Sequence, residues 1–254
     1  MKASEEIIKR LDDAARYARE IPQFDIENKL SLTEAYEIQR ASIERRLERG
    51  EHRTGVKMGF TSRAKMIQMG LSDVMWGRLT DAMQLEEGST VERSRFVHPR
   101  VEPELAFLLK KPLIGNVTGA QALAAVEAIA PALEVIDSRY ENFKFTLPEV
   151  IADNASSSGY VIGGWHSPAT DFSNLGLAMS INGKDVQVGS TAALLGHPLR
   201  SLVAAARVSA AAGEPLEAGW IILAGGATPA EWIHAGQHIS MRMQGLGNVG
   251  FQLI

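Results

Sequence analysis

Two glutamates, Glu102 and Glu104, stand two residues apart in VEPELAFLLKK, just ahead of the apolar run from Leu105 to Leu109. Alternation along a strand points both side chains the same way, about 6.6–6.8 Å apart. Like charges so placed repel each other unless a cation lies between them or that side is open to water. A third carboxylate interrupts another apolar run: in PALEVID, Glu134 takes a position where a buried strand carries Leu or Val. Burying an ionised carboxylate without a partner is costly and calls for a cation or a cage of hydrogen bonds. Three carboxylates with open remaining positions suit Mg2+, with Mn2+ as a substitute, because these ions keep water or substrate as further ligands. The spacing fits a second arrangement equally well, a water-facing pair on one strand and a separate core ion pair such as Glu134 with Arg139.

Lys57, inside the apolar run GVKMGF, is the other candidate for chemistry. A lysine there can be an acid/base with a lowered pKa or a carboxylate clamp; it can equally be an edge residue whose head reaches water. Other motifs carry nothing. GLGNVG at 245–250 matches GxGxxG, but a dinucleotide fingerprint needs a helix after the third glycine, and only four residues follow. These glycines are read as turn residues before a final strand. No GxSxG, Walker A or HExxH motif occurs, and the six histidines have no ligand spacing.

The elements that must position the acids follow from patterning. Ser4 can cap a first helix. Ser31 and Glu34 fit a capping box for a second, which Gly50 ends. Beyond His52 the chain becomes glycine-punctuated, with strands expected at Gly55–Phe60, Val101–Leu109, Ala132–Asp137, Tyr160–Ile162, Leu177–Ile181, Val186–Val188, Trp220–Leu223 and Ile239–Gln244. Asn182-Gly183 is a hairpin signal. Two further helices are expected, one from Thr118 to Pro131 and one from Pro198 to Gly213. The pattern implies a helical N-terminal portion, residues 1–52, packed on a β-rich body, residues 53–254. Strands and helices do not alternate, which disfavours a doubly wound sheet and favours a mixed sheet rolled into a partial barrel.

At 254 residues and 45% hydrophobic content the chain can bury a real core. A net charge of −4 without a basic cluster argues against nucleic acid as a partner. The absence of cysteine excludes disulfides, thiolate metal sites and a cysteine nucleophile. No apolar run approaches a membrane span and the N-terminus lacks a secretory pattern, so a cytoplasmic protein is expected.

Read in order, VKMGF, WGRLTDAM, HPRVEPELAFLL, PALEVIDSRY, ADNASSSGYVIG, GHPLRSLVAAA and AGGATPAE resemble the fumarylacetoacetate hydrolase superfamily. Within it they are similar to the branch of 2-hydroxypentadienoate hydratases and 4-oxalocrotonate decarboxylases of meta-cleavage aromatic catabolism. The stretch from Lys57 to Met83 reads closer to the decarboxylases. The resemblance implies a mixed α/β fold with a β-roll or partial barrel, and a divalent metal on Glu102, Glu104 and Glu134. It implies Lys57 and Asp81 as catalytic residues, and Asn154, Ser156, Ser158, Gly226 and Thr228 as substrate-binding walls. Residues near Ile67–Trp76 would form a lid. Arg78 or Arg139 would read a remote carboxylate. On motif evidence alone Asp81 can also be a turn residue and Arg78 a surface charge. The expected reaction is Mg2+-dependent loss of CO2 from 2-oxo-3-hexenedioate, a 2-oxo dicarboxylate, with hydration of the five-carbon dienol or acylpyruvate hydrolysis as alternatives. No histidine precedes His52, which weakens the hydrolase reading. The resemblance also implies a homo-oligomer and a complex with the matching hydratase.

Overall fold

A computed structural model describes residues 2–24, 29–62, 66 and 73–254 of the chain. Among these residues the helices are α1 (Lys2–Tyr17), α2 (Leu32–Glu48), α3 (Gly119–Ala124), α4 (Leu147–Ala152) and α5 (Pro198–Ala211). The strands are β1 (Arg53–Gly59), β2 (Met75–Thr80), β3 (Gln84–Leu85), β4 (Thr90–Val91), β5 (Pro99–Leu109), β6 (Val126–Asp137), β7 (Ser157–Ile162), β8 (Gly176–Ile181), β9 (Lys184–Ser190), β10 (Ile221–Leu223), β11 (Glu231–Trp232), β12 (Gln237–Met243) and β13 (Gly247–Leu253).

One sheet runs β2-β1-β10-β5-β6-β7-β3, with β11 added against β5; the second runs β4-β13-β12-β8-β9. The first sheet curls. β10 and β5 separate β1 from β6, yet Lys57 on β1 touches Glu134 on β6 at 3.0 Å. Thr54 on β1 likewise meets the Tyr160 hydroxyl on β7 at 2.9 Å. Such contacts require the strands to face one another across a concave interior. The convex side carries Leu133, Val135 and Val161 into one apolar core with Ile239, Met241, Val249 and Phe251 of the second sheet. The fold is a mixed α/β half-barrel.

The lower part of the concave side is closed by α2. Ser31 and Glu34 form the capping box expected for this helix, and Gly50 follows it at φ +96°. Ile43 and Leu47 pack on Leu79, Ala106, Ala130, Ala132, Tyr160 and Leu223. The alanines explain a departure from the sequence reading. The helix from Thr118 ends at Ala124, and VEAIA, expected to be helical, opens β6 instead. Small side chains there make room for α2 against the sheet, and this packing overrides helix propensity. Pro131, taken as a helix stop, pairs with Leu105 inside the sheet; it sits where the β6–β7 ladder ends, so its missing N–H is not needed for pairing. Among other differences, β2, which carries no clear alternation, lies outside the strands expected from the sequence, and α1 already begins at Lys2, which places Ser4 inside it.

The N-terminal helices share their core with the body: Leu11, Ala35 and Ile38 pack with Tyr140, Ile151 and Ala152. Asp12 of α1 accepts from Arg45 at 2.8 Å and from Arg49 at 2.6 and 2.7 Å, tying α1 to α2. Asn182 and Gly183 both take positive φ at the β8–β9 hairpin, as a type I′ turn requires. The GxGxxG match forms the turn into β13, as read from the sequence. Of the lid expected at Ile67–Trp76, residues 67–72 lie outside the described residues, and Met75 and Trp76 begin β2.

Candidate metal centre and active site

Register builds the site. On β5, Glu102 lies opposite Glu134 of β6, and Glu104 lies opposite Ala132. All three glutamates therefore point into the concave interior, where one oxygen of each lies within 4.8 Å of the others. Glu104 and Glu134 are fully buried. From β1, Lys57 Nζ reaches Glu134 Oε2 at 3.0 Å, so the edge-lysine reading fails. The separate Glu134–Arg139 pair fails as well, because Arg139 is bound to Asp153 at 2.6 Å.

Burial would pull the Lys57 ammonium down, but the charges of Glu134, Glu102 and Glu104 outweigh it and hold the pKa above its ordinary value. Lys57 is thus a charged partner of the cluster rather than a lowered-pKa base. Glu104 is pushed well above the carboxylate range by burial and by the Glu134 charge, against the pull of Lys57. Glu104 Oε2 accepts the Gly225 N–H at 2.7 Å, while its Oε1 is buried without a hydrogen-bond partner. Glu134 Oε1 accepts from Ser157 Oγ at 2.9 Å.

Without a metal Glu104 keeps its proton, so Glu102 and Glu134 against the Lys57 ammonium leave one net negative charge; a divalent cation would displace the Glu104 proton and balance all three carboxylates. The unpartnered Glu104 oxygen and the all-oxygen donor set fit Mg2+ or Mn2+.

Glycines bring backbone close to these groups. A Cβ on Gly226 would stand 2.8 Å from the Glu102 carboxylate, and one on Gly225 would overlap Thr61 Oγ1 at 2.1 Å. Gly77, opposite Lys57 on β2, lets the Asn154 carbonyl approach to 2.6 Å from where its Cβ would be. Asn154, Ala155 and Ser156 take φ of 51°, 51° and 59°, three successive left-handed residues, each carrying a penalty of about 1–2 kcal/mol. Asn154 offsets part of this by clipping onto β2: its Oδ1 accepts Arg78 N–H at 2.8 Å and its Nδ2 donates to Arg78 O at 2.9 Å. The turn delivers Ser157 to Glu134 and leaves Ser156 Oγ buried without a hydrogen-bond partner.

The remaining expected residues divide. Thr228 is nearly buried, donates to Pro229 O at 3.1 Å and packs its methyl against Gly189. Ser158 accepts from Arg139 Nη1, beside the buried Arg139–Asp153 pair. Two assignments are corrected. Asp81 lies four residues past Gly77, beyond the far end of β2, half exposed, accepting from His52 N at 2.9 Å and pairing with its ring at 3.1 Å. It is the turn residue of the alternative reading and does not approach Lys57. Arg78 alternates away from Gly77 and is not a surface charge. It is buried over Trp76, bound to Glu214 at 2.5 and 3.0 Å and to Gln39 at 2.5 Å. Ser157 escaped the sequence reading, which named Ser156 and Ser158. No spacing separates the three serines, since a left-handed turn and a bulge between Val135 and Ile136 break the alternation.

Residues 52–254 match the family model described as fumarylacetoacetate (FAA) hydrolase C-terminal. The chain belongs to the fumarylacetoacetate hydrolase family. It is 56% identical over 245 residues to a 4-oxalocrotonate decarboxylase of Pseudomonas sp, covering 96% of each chain. A 2-hydroxyhexa-2,4-dienoate hydratase of Comamonas testosteroni is 35% identical over 249 residues, 96% of this chain and 94% of that one. The solved 4-oxalocrotonate decarboxylase from Pseudomonas putida G7, complexed with magnesium and adipate, superposes with a TM-score of 0.96 at 37% identity, covering 100% of this chain and 98% of that one. This family member therefore shares its whole fold with a decarboxylase that takes up magnesium together with a six-carbon dicarboxylate.

Proposed function

We propose that the protein decarboxylates 2-oxo-3-hexenedioate (4-oxalocrotonate) to 2-hydroxypenta-2,4-dienoate with Mg2+, Mn2+ serving as a substitute, as a carboxy-lyase of meta-cleavage aromatic catabolism in the cytoplasm. The observation that carries the reading is the converging Glu102–Glu104–Glu134 cluster, two of its acids fully buried, in a chain that matches decarboxylases over nearly its full length. Those three glutamates would hold the cation. When bound, it supplies Lewis-acid polarisation of the 2-oxo group of a chelating 2-oxo acid.

The chain's own residues do the rest. As the C5–C6 bond breaks and CO2 leaves, its electron pair shifts through the C3–C4 double bond toward the oxygen on C2. Lys57, held 3.0 Å from Glu134, presents its ammonium to negative charge that grows only in the transition state. A proton held at Lys57 Nζ can pass to the C2 oxygen to give the enol product. Asn154, Ser156, Gly226 and Thr228 supply the polar walls, Ser156 through a hydroxyl that is buried without a partner. Ser157 fixes the orientation of Glu134, and buried α2 side chains exclude water from below.

A second reading, hydration of the five-carbon dienol, is favoured by the 35% identity with a hydratase over nearly the whole chain. Incubation with Mg2+ and each substrate, with and without a chelator, separates the two. Release of CO2 from the six-carbon diacid supports decarboxylation, and 4-hydroxy-2-oxopentanoate from the dienol supports hydration. The unstable dienol product makes association with a hydratase, and a homo-oligomer as its platform, part of the proposal; co-purification from cells expressing both proteins tests it.

A further inference from the structure

Neither arginine expected to read the remote carboxylate is available. Arg78 is engaged by Glu214 and Gln39, and Arg139 by Asp153 and Ser158. A third arginine stands on the metal face itself. Alternation on β5 puts Arg100, Glu102 and Glu104 on one side of the strand, with Arg100 one repeat beyond Glu102, about 6.8 Å further toward the rim. Its neighbours in register are Ile136 on β6 and Trp232 on β11.

The Arg100 side chain is held in place by rings. Its guanidinium carbon lies 3.9 Å from the centroid of Phe143 and 3.9 Å from that of Trp232. The two rings are 5.5 Å apart and inclined by 72°, so the cation sits in the notch between them. Attraction to both π systems fixes a planar fork of donors before any ligand arrives. Arg53, Arg78 and Arg139 each hold a carboxylate. Among the described residues Arg100 forms no ion pair, Glu102 attracting it only from further off, and its Nε is buried without a hydrogen-bond partner.

The concave face leaves a long substrate little choice of direction. Below Glu104 it is filled by Ala106, Ala130 and Leu223 under Ile43 of α2. A 2-oxo acid whose head occupies the three-glutamate site must send its tail the other way, toward the rim where Arg100 waits.

We propose that Arg100 is the specificity residue that receives the second carboxylate of the substrate, the one lost as CO2, and so restricts the site to 2-oxo dicarboxylates. The proposal rests on the reading of the three-glutamate cluster as a metal-assisted 2-oxo acid site. A carboxylate sheds its charge as it becomes CO2, so a contact with Arg100 strengthens substrate binding and not the transition state. Removing it raises KM by about tenfold to a hundredfold and leaves kcat unchanged or higher.

The test compares two stable probes that differ only in the terminal group, 2-oxoadipate and 2-oxohexanoate, titrated calorimetrically into the full-length Mg2+-loaded protein. Wild type is expected to favour 2-oxoadipate by about tenfold or more. Arg100→Met is expected to lose that preference while its affinities for 2-oxohexanoate and for Mg2+ alone stay within about twofold. A wild-type preference that survives in Arg100→Met overturns the proposal, as does equal binding of the two probes by wild type, and in both cases the 2-oxo acid reading stands. Failure of wild type to bind either probe with Mg2+ overturns that reading and the proposal with it. If Arg100→Met does not fold, Trp232→Leu, which opens one side of the notch, decides: a reduced preference supports the proposal, and an unchanged one overturns it.

Discussion

Lys57 Nζ and Glu134 Oε2 lie 3.0 Å apart although two strands separate their own strands in the sheet. The contact is possible because the sheet folds over on itself, and it occupies a place where neither residue could be buried alone. Replacing Lys57 by Met leaves the three carboxylates with no internal counter-charge. Breaking a buried pair costs about 3–5 kcal/mol, so the metal-free variant is expected to melt well below wild type. Added Mg2+ is expected to raise its melting temperature by more than it raises that of wild type, and CO2 release is expected to fall by at least about a hundredfold. Thermal melts with and without Mg2+ check the first two outcomes, and a CO2-release assay the third.

Glu104→Gln removes a ligand charge at the site's driest point. Loss of magnesium affinity by about tenfold or more is expected, with turnover falling in parallel, while melting without metal changes little because burial and the Glu134 charge already keep Glu104 protonated there. Calorimetric titration of Mg2+ into wild type and variant measures this directly. Unchanged affinity would mean the cation binds elsewhere.

Gly226→Ala places a methyl group 2.8 Å from the Glu102 carboxylate. The carboxylate must swing away, so Mg2+ binding should weaken by about tenfold while the variant loses only about 1–3 kcal/mol of stability. The same comparison of titration and denaturant unfolding is the check.

Asp12 gives the clearest pH dependence. Burial alone would raise its pKa, but hydrogen bonds and charges from Arg49 and Arg45 outweigh that and hold it below its ordinary value. A carboxyl lowered on folding contributes stability in full above its unfolded pKa of about 3.8 and loses it as pH falls through the lower folded value. Wild type should therefore exceed Asp12→Asn by about 2 kcal/mol at pH 6, and the gap should close below pH ~3.8. Urea unfolding across that range tests the sign as well as the size.

Arg78→Met separates structure from recognition. The guanidinium is buried against Glu214, so the variant should lose about 3–5 kcal/mol, while the protein that remains folded keeps a KM within about twofold of wild type. Steady-state kinetics at a temperature well below melting settle the point.

Charges set among apolar strand residues single out Glu102, Glu104, Glu134 and Lys57, but spacing fits two arrangements equally well, and the family resemblance is what joins the three acids into one metal site. The Ser31–Glu34 capping box and the Asn182-Gly183 hairpin are legible locally. What remained hidden depends on curvature. Nothing local tells that β1 will face β6, that Arg78 will find Glu214 across 136 positions, or that Asp81 will fall at the wrong end of β2. The alanines of VEAIA were misread for the same reason: their small size answers to a helix drawn from elsewhere in the chain. Arg100 drew no notice because its two rings come from segments 43 and 132 residues further along.

The left-handed run at Asn154–Ser156 bears on the order in which the molecule is made. Isolated in a growing or refolding polypeptide, those three residues have no reason to adopt that shape. The clip that holds them belongs to a strand 76 positions earlier. Ser157 can therefore be aimed only after β2 has docked, which makes the chemical centre one of the last regions to mature and ties its competence to completion of the whole scaffold.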